Sequence, residues 1–218
     1  EAEVPDHHDR AFDMSYAWHT HHVMNQVARM EWSVDSIRSA LAMDSMRFGE
    51  DAYRMMFVTN HDENSWNGTI AERMGANGDA MAMLAGTLFG MPLVYSGQEA
   101  GISKRLRFFE KDTVIWGDYS KTNLYQTINA LHHDEEALWN GPFGGWPELI
   151  PTDFSDEVVA WKRTKGESEV VVASNFGNEN RVVAVDIDTT YAIAWGEIEP
   201  AGWVEVPAHQ TLVWKKKP

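Results

Sequence analysis

The chain has 218 residues, 44% of them hydrophobic, with ten tryptophans, no cysteine and a formal charge of −15. That length holds one large domain or two smaller ones, and the lack of cysteine excludes disulfides and thiol chemistry without fixing a compartment. The acidic balance argues against a nucleic acid or an anionic membrane as partner, since both need basic patches, and no uninterrupted apolar run approaches a membrane span.

The chain opens on Glu1-Ala2-Glu3-Val4-Pro5, without initiator Met or leader, and reads as a C-terminal piece of a longer protein. Residues 1–10 are polar and predict a loop leaving a preceding strand. Residues 11–16 predict a short strand with Phe12, Met14 and Tyr16 on one side, and residues 18–30 a helix. Ser33 is a candidate cap for a second helix carrying Val34, Ile37 and Leu41 at helical spacing.

Residues 54–60 predict a strand buried on both faces, through Met55 to Thr59. It empties abruptly into Asn60, His61, Asp62, Glu63 and Asn64. A buried strand ending in carboxylates, amides and an imidazole is the pattern of the C-terminal mouth of a parallel α/β barrel. A surface turn after a core strand is the competing reading. Residues 77–89 predict an apolar, Met-rich helix stopped by Gly90, and residues 91–95 another buried strand, ending in Ser96-Gly97-Gln98-Glu99. Strands and helices alternating at this spacing predict right-handed parallel βα units.

Leu124, Ile128, Leu131 and Leu138 mark the apolar face of a helix over 121–139. The breaker-rich stretch 140–147 then divides the chain into 1–140 and 141–218. Six short β-rich runs follow, at 157–164, 169–175, 181–187, 191–195, 203–206 and 211–214. Lys165-Gly166 and Phe176-Gly177-Asn178 are candidate turns between neighbours, and a small antiparallel sandwich is predicted.

Phe57-Val58-Thr59-Asn60-His61-Asp62 resembles the seventh-strand signature of the α-amylase family, glycoside hydrolase family 13. Met91-Pro92-Leu93-Val94-Tyr95-Ser96-Gly97-Gln98-Glu99 is similar to that family's eighth-strand segment. Lys104-Arg105 and Phe108-Phe109-Glu110-Lys111-Asp112 follow in order. The resemblance implies an α/β fold: the C-terminal half of a TIM barrel, then an all-β antiparallel sandwich. It also implies retaining cleavage or transfer at α-glucosidic bonds of starch or maltodextrins, where one carboxylate is the nucleophile and a second carboxyl the acid/base. By similarity Asp62 is the third carboxylate, bonding ring hydroxyls of the cleaved sugar, and His61 bonds the same sugar. Asn60, Tyr16 and Trp66 are the further substrate-binding candidates, Tyr16 and Trp66 through ring stacking that wall packing would equally explain.

Glu1 is the candidate acid/base, with Glu3 the competing choice. The resemblance puts the nucleophile on a strand ahead of Glu1, so these residues alone are expected to be inactive. It leaves calcium open as a cofactor of the whole protein, at a site outside these residues; no metal or cofactor is expected within them. The expected partner is an α-glucan oligosaccharide or polysaccharide, and secretion or a periplasmic location is in keeping with it. A non-catalytic family-13-like binding or transporter accessory protein is the alternative. His19, His21 and His22 invite a metal reading, but polar surface or substrate contact suits them better. Gln98 and Glu99 are expected to hydrogen-bond structurally, and Arg105 and Arg107 to pair with Glu110 and Asp112.

Overall fold

The computed structural model describes all residues, 1–218. Three short strands form a parallel sheet in the order β1 (Ser15–Tyr16), β2 (Arg54–Met56), β3 (Met91–Pro92). Helices α2 (Trp18–Ala28) and α3 (Asp35–Phe48) connect β1 to β2, and α4 (Ile70–Met74) and α5 (Gly78–Thr87) connect β2 to β3. A short helix α1 (Pro5–Arg10) precedes the sheet, and α6 (Thr122–Asp134) follows it. No helix is long and apolar enough to cross a membrane.

The expected loop at 1–10 is therefore a helix from Pro5 onward. Proline at its first turn, Asp6 beside it and Arg10 in the last turn suit the helix ends. All three strands are shorter than expected, and for β2 the reason is that side chains take over the backbone acceptors. Past Met56, the Phe57 carbonyl faces the His21 ring and the Val58 carbonyl accepts from Arg73, so the ladder stops while the chain stays buried. Met91 is 41% exposed, against the expectation of a buried strand, because β3 is the outermost strand and pairs only with β2. Gly90 enters that strand at φ +70°, and a Cβ there would collide with the Arg54 carbonyl oxygen.

The second half forms a five-stranded antiparallel sheet ordered β4 (Glu148–Ile150), β5 (Val158–Lys165), β6 (Ser168–Asn175), β10 (Gln210–Lys216), β8 (Tyr191–Trp195). A two-stranded ribbon, β7 (Arg181–Ala184) with β9 (Trp203–Val206), packs against it. Lys165-Gly166 closes the β5–β6 hairpin as expected, whereas residues 176–178 carry the chain from one sheet to the other.

Alternation along the strands builds two cores. Val159, Trp161, Val170, Val172 and Val213 face the helices and join α2, α3, α5 and α6 in one continuous cluster. Val158, Ala160, Val171, Leu212 and Trp214 face the ribbon. The indole of Trp161 donates to the Thr87 carbonyl at 3.2 Å, and Asn77 donates to the carbonyls of Ala28 and Phe176 at 2.9 and 3.2 Å. Residues 1–140 and 141–218 thus share a core.

Candidate active site

The strand ends present the site. After Val58 the chain turns at Asn60, whose Oδ1 accepts the Glu63 amide at 2.8 Å and fixes a π-helical turn over Glu63–Asn67. His61 and Asp62 stand at the head of that turn, with side chains 53% and 31% exposed and 3.7 Å apart. The Glu1 carboxylate comes from the far end of the sequence to meet them, so that one ligand atom from each of Glu1, His61 and Asp62 lies within 4.8 Å of the others. Glu3 is committed elsewhere: it pairs with the buried Arg54 and accepts the His19 amide at 2.9 Å.

Tyr16, at the end of β1, stacks on Trp18 with centroids 5.7 Å apart and meets Phe57 edge-on at 5.4 Å. Its hydroxyl is pushed above the usual range by burial first and then by the charges of Glu1 and Asp62. Trp66 is 55% exposed. Asn60 is buried, its Nδ2 and the neighbouring Thr59 hydroxyl having no hydrogen-bond partner. The five residues Glu1, Tyr16, His61, Asp62 and Trp66 are therefore on or near the surface at the strand ends, while Asn60 lies beneath them.

Sequence reasoning misses two groups here. The first is an aromatic wall: Phe108 stacks on His61 with centroids 5.9 Å apart and lies 5.1 Å from Trp66, and Phe109 packs edge-on against Phe108 at 4.9 Å. Two adjacent phenylalanines in a charged loop are the available signal. Asn64 secures that loop, accepting the Leu106 amide at 2.8 Å and donating to the Lys104 carbonyl at 3.2 Å. Arg105 pairs with Glu72 at 3.0 Å, not with Glu110 or Asp112 as expected, because α4 lies against the loop. Arg107 does pair with Glu110, at 2.7 Å, and Lys104 holds Asp112.

The second group is a buried polar network under the turn. Glu63 Oε2 lies 3.0 Å from His21 Nε2 and 3.5 Å from Arg73 Nη1, and Asn25 accepts from Arg73 at 2.6 Å. Burial pushes the Glu63 carboxyl up, but the His21 hydrogen bond, the Asn67 amide and the Arg73 guanidinium outweigh it and hold the group low, at about 2. Burial pulls His21 down from its ordinary value. The charge belongs to the Glu63–Arg73 pair, since a guanidinium keeps its proton where a buried imidazole gives it up. His21 is thus a core residue, not the polar surface or substrate contact expected of it. His22 is exposed and stacks on Trp18 at 5.8 Å.

Glu1, His61 and Asp62 are also the three-residue set that could grip an ion. One imidazole with two carboxylates suits a zinc-like ion better than calcium, which takes about six to eight oxygens.

No family model matches the sequence. A curated relative does: the α-amylase MalA of Haloarcula japonica is 30% identical over 191 residues, covering 85% of this chain and 27% of that protein. In sequence the chain is similar to an α-amylase. Solved α-amylases share the fold. The maltogenic α-amylase AmyB of Thermotoga neapolitana superposes over 99% of this chain and 53% of its own, with a TM-score of 0.80 at 17% identity. The α-amylase of Lactobacillus plantarum covers 96% of this chain and 49% of its own (TM-score 0.75, 18% identity), and that of Geobacillus thermoleovorans, complexed with acarbose, 98% and 50% (0.72, 16%). The chain thus spans about half the length of these solved α-amylases.

Proposed function

We propose that this chain serves an α-amylase-type glycoside hydrolase, cleaving α-glucosidic bonds of starch or maltodextrins with retention of configuration. In this reading residues 1–140 form the later part of a (β/α)8 barrel, with β1, β2 and β3 as its sixth, seventh and eighth strands, and residues 141–218 form the C-terminal β domain. The carrying observation is the convergence of Glu1, His61 and Asp62, 60 residues apart in sequence, at the mouth of a parallel sheet.

Each residue then has a role. Glu1 protonates the leaving oxygen and later activates water. Its place beside His61 and Asp62, while Glu3 pairs with Arg54, favours it over Glu3. Asp62 accepts hydrogen bonds from ring hydroxyls of the cleaved sugar, and its fixed negative charge counts most as positive charge grows at the anomeric carbon. His61 bonds the same ring, with Phe108 holding its imidazole in plane. Tyr16 and Trp66 offer ring faces to the sugar, and the free Asn60 Nδ2 is the donor beneath. The nucleophilic carboxylate is supplied by residues outside these 218, so the chain alone binds and does not turn over.

The test is turnover on soluble starch and maltoheptaose by the protein that carries this chain, and by its Asp62→Asn form. We expect kcat to fall by about 10²–10³-fold with the circular dichroism spectrum unchanged. Unchanged turnover overturns the role of Asp62. A parent inactive on every α-glucan replaces this reading with that of a non-catalytic binding protein.

A further inference from the structure

The arm that brings Glu1 to the mouth of the sheet, residues 1–4, has no regular structure and leads into α1. Its one internal backbone bond runs from the Val4 amide to the Ala2 carbonyl at 2.9 Å. The hydrogen bonds that tie it to α2, α3 and β2 all fall on Glu3. One Glu3 carboxylate oxygen pairs with Arg54 of β2, and the other accepts the His19 amide, in the first turn of α2, at 2.9 Å. The Glu3 carbonyl accepts from Arg47, in the last turn of α3, at 2.6 Å.

The central anchor is rigid. Arg54 is buried, lies over the Phe48 ring at 3.9 Å, donates to the Ser15 hydroxyl and holds both oxygens of Asp44 through Nε, at 3.0 and 3.2 Å. Asp44 is buried as well and by itself balances the guanidinium. A second carboxylate is surplus to that charge balance, and holding it near Asp44 costs desolvation and like-charge repulsion. What Glu3 adds is a tether. It fixes the chain two residues, at most about 7 Å of backbone, from Glu1.

Glu1 itself makes no hydrogen bond within the fold, so its place beside His61 and Asp62 is set by the chain that carries it. A general acid must stand within hydrogen-bond reach of the oxygen it protonates, and a misplacement of about 1 Å can cost about 10²-fold in rate. Given the role proposed for Glu1, on which this rests, we propose that Glu3 is a positioning residue. Clamped between Arg54 and the start of α2, it aims the Glu1 carboxyl at the leaving oxygen.

Two substrates, turned over by the protein that carries this chain, test it. Cleavage of maltoheptaose expels a sugar oxygen that needs the proton, whereas α-maltosyl fluoride sheds fluoride with little need of one; kcat/KM for each reports the step in which that bond breaks. We expect Glu1→Gln and Glu3→Gln each to lower kcat/KM on maltoheptaose by about 10²-fold, and on the fluoride by less than about tenfold. A purely structural loss lowers both alike. Glu3→Gln leaves Arg54 paired with Asp44; if it still does not fold, Arg47→Ala, which removes an exposed side chain, decides by the same split at about tenfold. With the split present in Glu1→Gln, equal losses on the two substrates, or no loss, in the deciding variant overturn the proposal and leave Glu1 as the acid. A Glu1→Gln form without the split, or a parent inactive on both substrates, removes the role of Glu1 and this proposal with it. A split confined to Glu3→Gln makes Glu3 itself the acid.

Discussion

The two sheets of this molecule are built on opposite terms. The parallel sheet has strands of two or three residues, and its outer strands β1 and β3 each pair on one side only. The antiparallel sheet has central strands of seven or eight residues, covered by helices on one face and by the ribbon on the other. Yet the parallel sheet carries the candidate chemistry. A sheet whose carbonyls are handed to His21 and Arg73 leaves its ends open for side chains that must meet a ligand. The long ladders leave little backbone to spare and serve as the foundation. Side-chain networks do in the first region what strand pairing does in the second.

Trp161→Ala puts the heaviest load on this contrast, because the residue is fully buried in the core both regions share. Loss of that indole and its bond to Thr87 should cost about 3–5 kcal/mol and lower one common thermal transition. Two separated transitions in calorimetry would show instead that the regions melt independently. Glu63→Ala strikes the parallel region alone. We expect about 3 kcal/mol, the low end for a broken buried pair, because Arg73 still donates to Asn25 and to the carbonyls of Gly68 and Val58. Urea titration showing less than about 1 kcal/mol would mean that the network does not carry the strand end.

Acid probes the seam between α5 and α6. His132 meets the Gly86 carbonyl at 2.5 Å, and burial, against that bond and with the Arg163 charge, holds it at about 4, below the usual 6.5. Between these values the unfolded chain binds more protons, so stability is full above pH 6.5 and falls as pH drops toward 4. Melting temperature against pH should slope through that window, and His132→Gln should flatten the slope. The smallest effect belongs to Thr69→Ala, which removes one half of a capping box with Glu72 on α4. About 1 kcal/mol is expected by thermal melts, and Glu72 keeps Arg105 as a partner.

The sequence told most where periodicity and local chemistry agree. The ranges of α2, α5 and α6 and the strands β5, β6 and β8 lie close to their apolar patterns, and Asn60-His61-Asp62 carries its resemblance in consecutive residues. What stayed hidden depends on partners distant in sequence. Nothing local distinguishes Glu63, buried on His21 and Arg73, from Asp62 beside it, which is left to solvent. Arg105 finds Glu72 33 residues away rather than the acids next to it. The strand β4 is three residues set between Pro147 and Pro151, too short to show alternation. Helix α1 has polar residues all round and no apolar stripe to announce it, only its proline and its end charges.

Gly90 has a consequence for the genetic neighbourhood of this chain. Every glycine codon is one base change from codons for residues with a Cβ, and none of those side chains fits against the Arg54 carbonyl at that backbone angle. The start of β3 is therefore closed to single-step substitution, whatever ligand the mouth of the sheet comes to prefer. A lineage descending from this sequence can retune the exposed walls around His61 and Asp62 one residue at a time, while the hinge into its outermost parallel strand is held still by geometry alone.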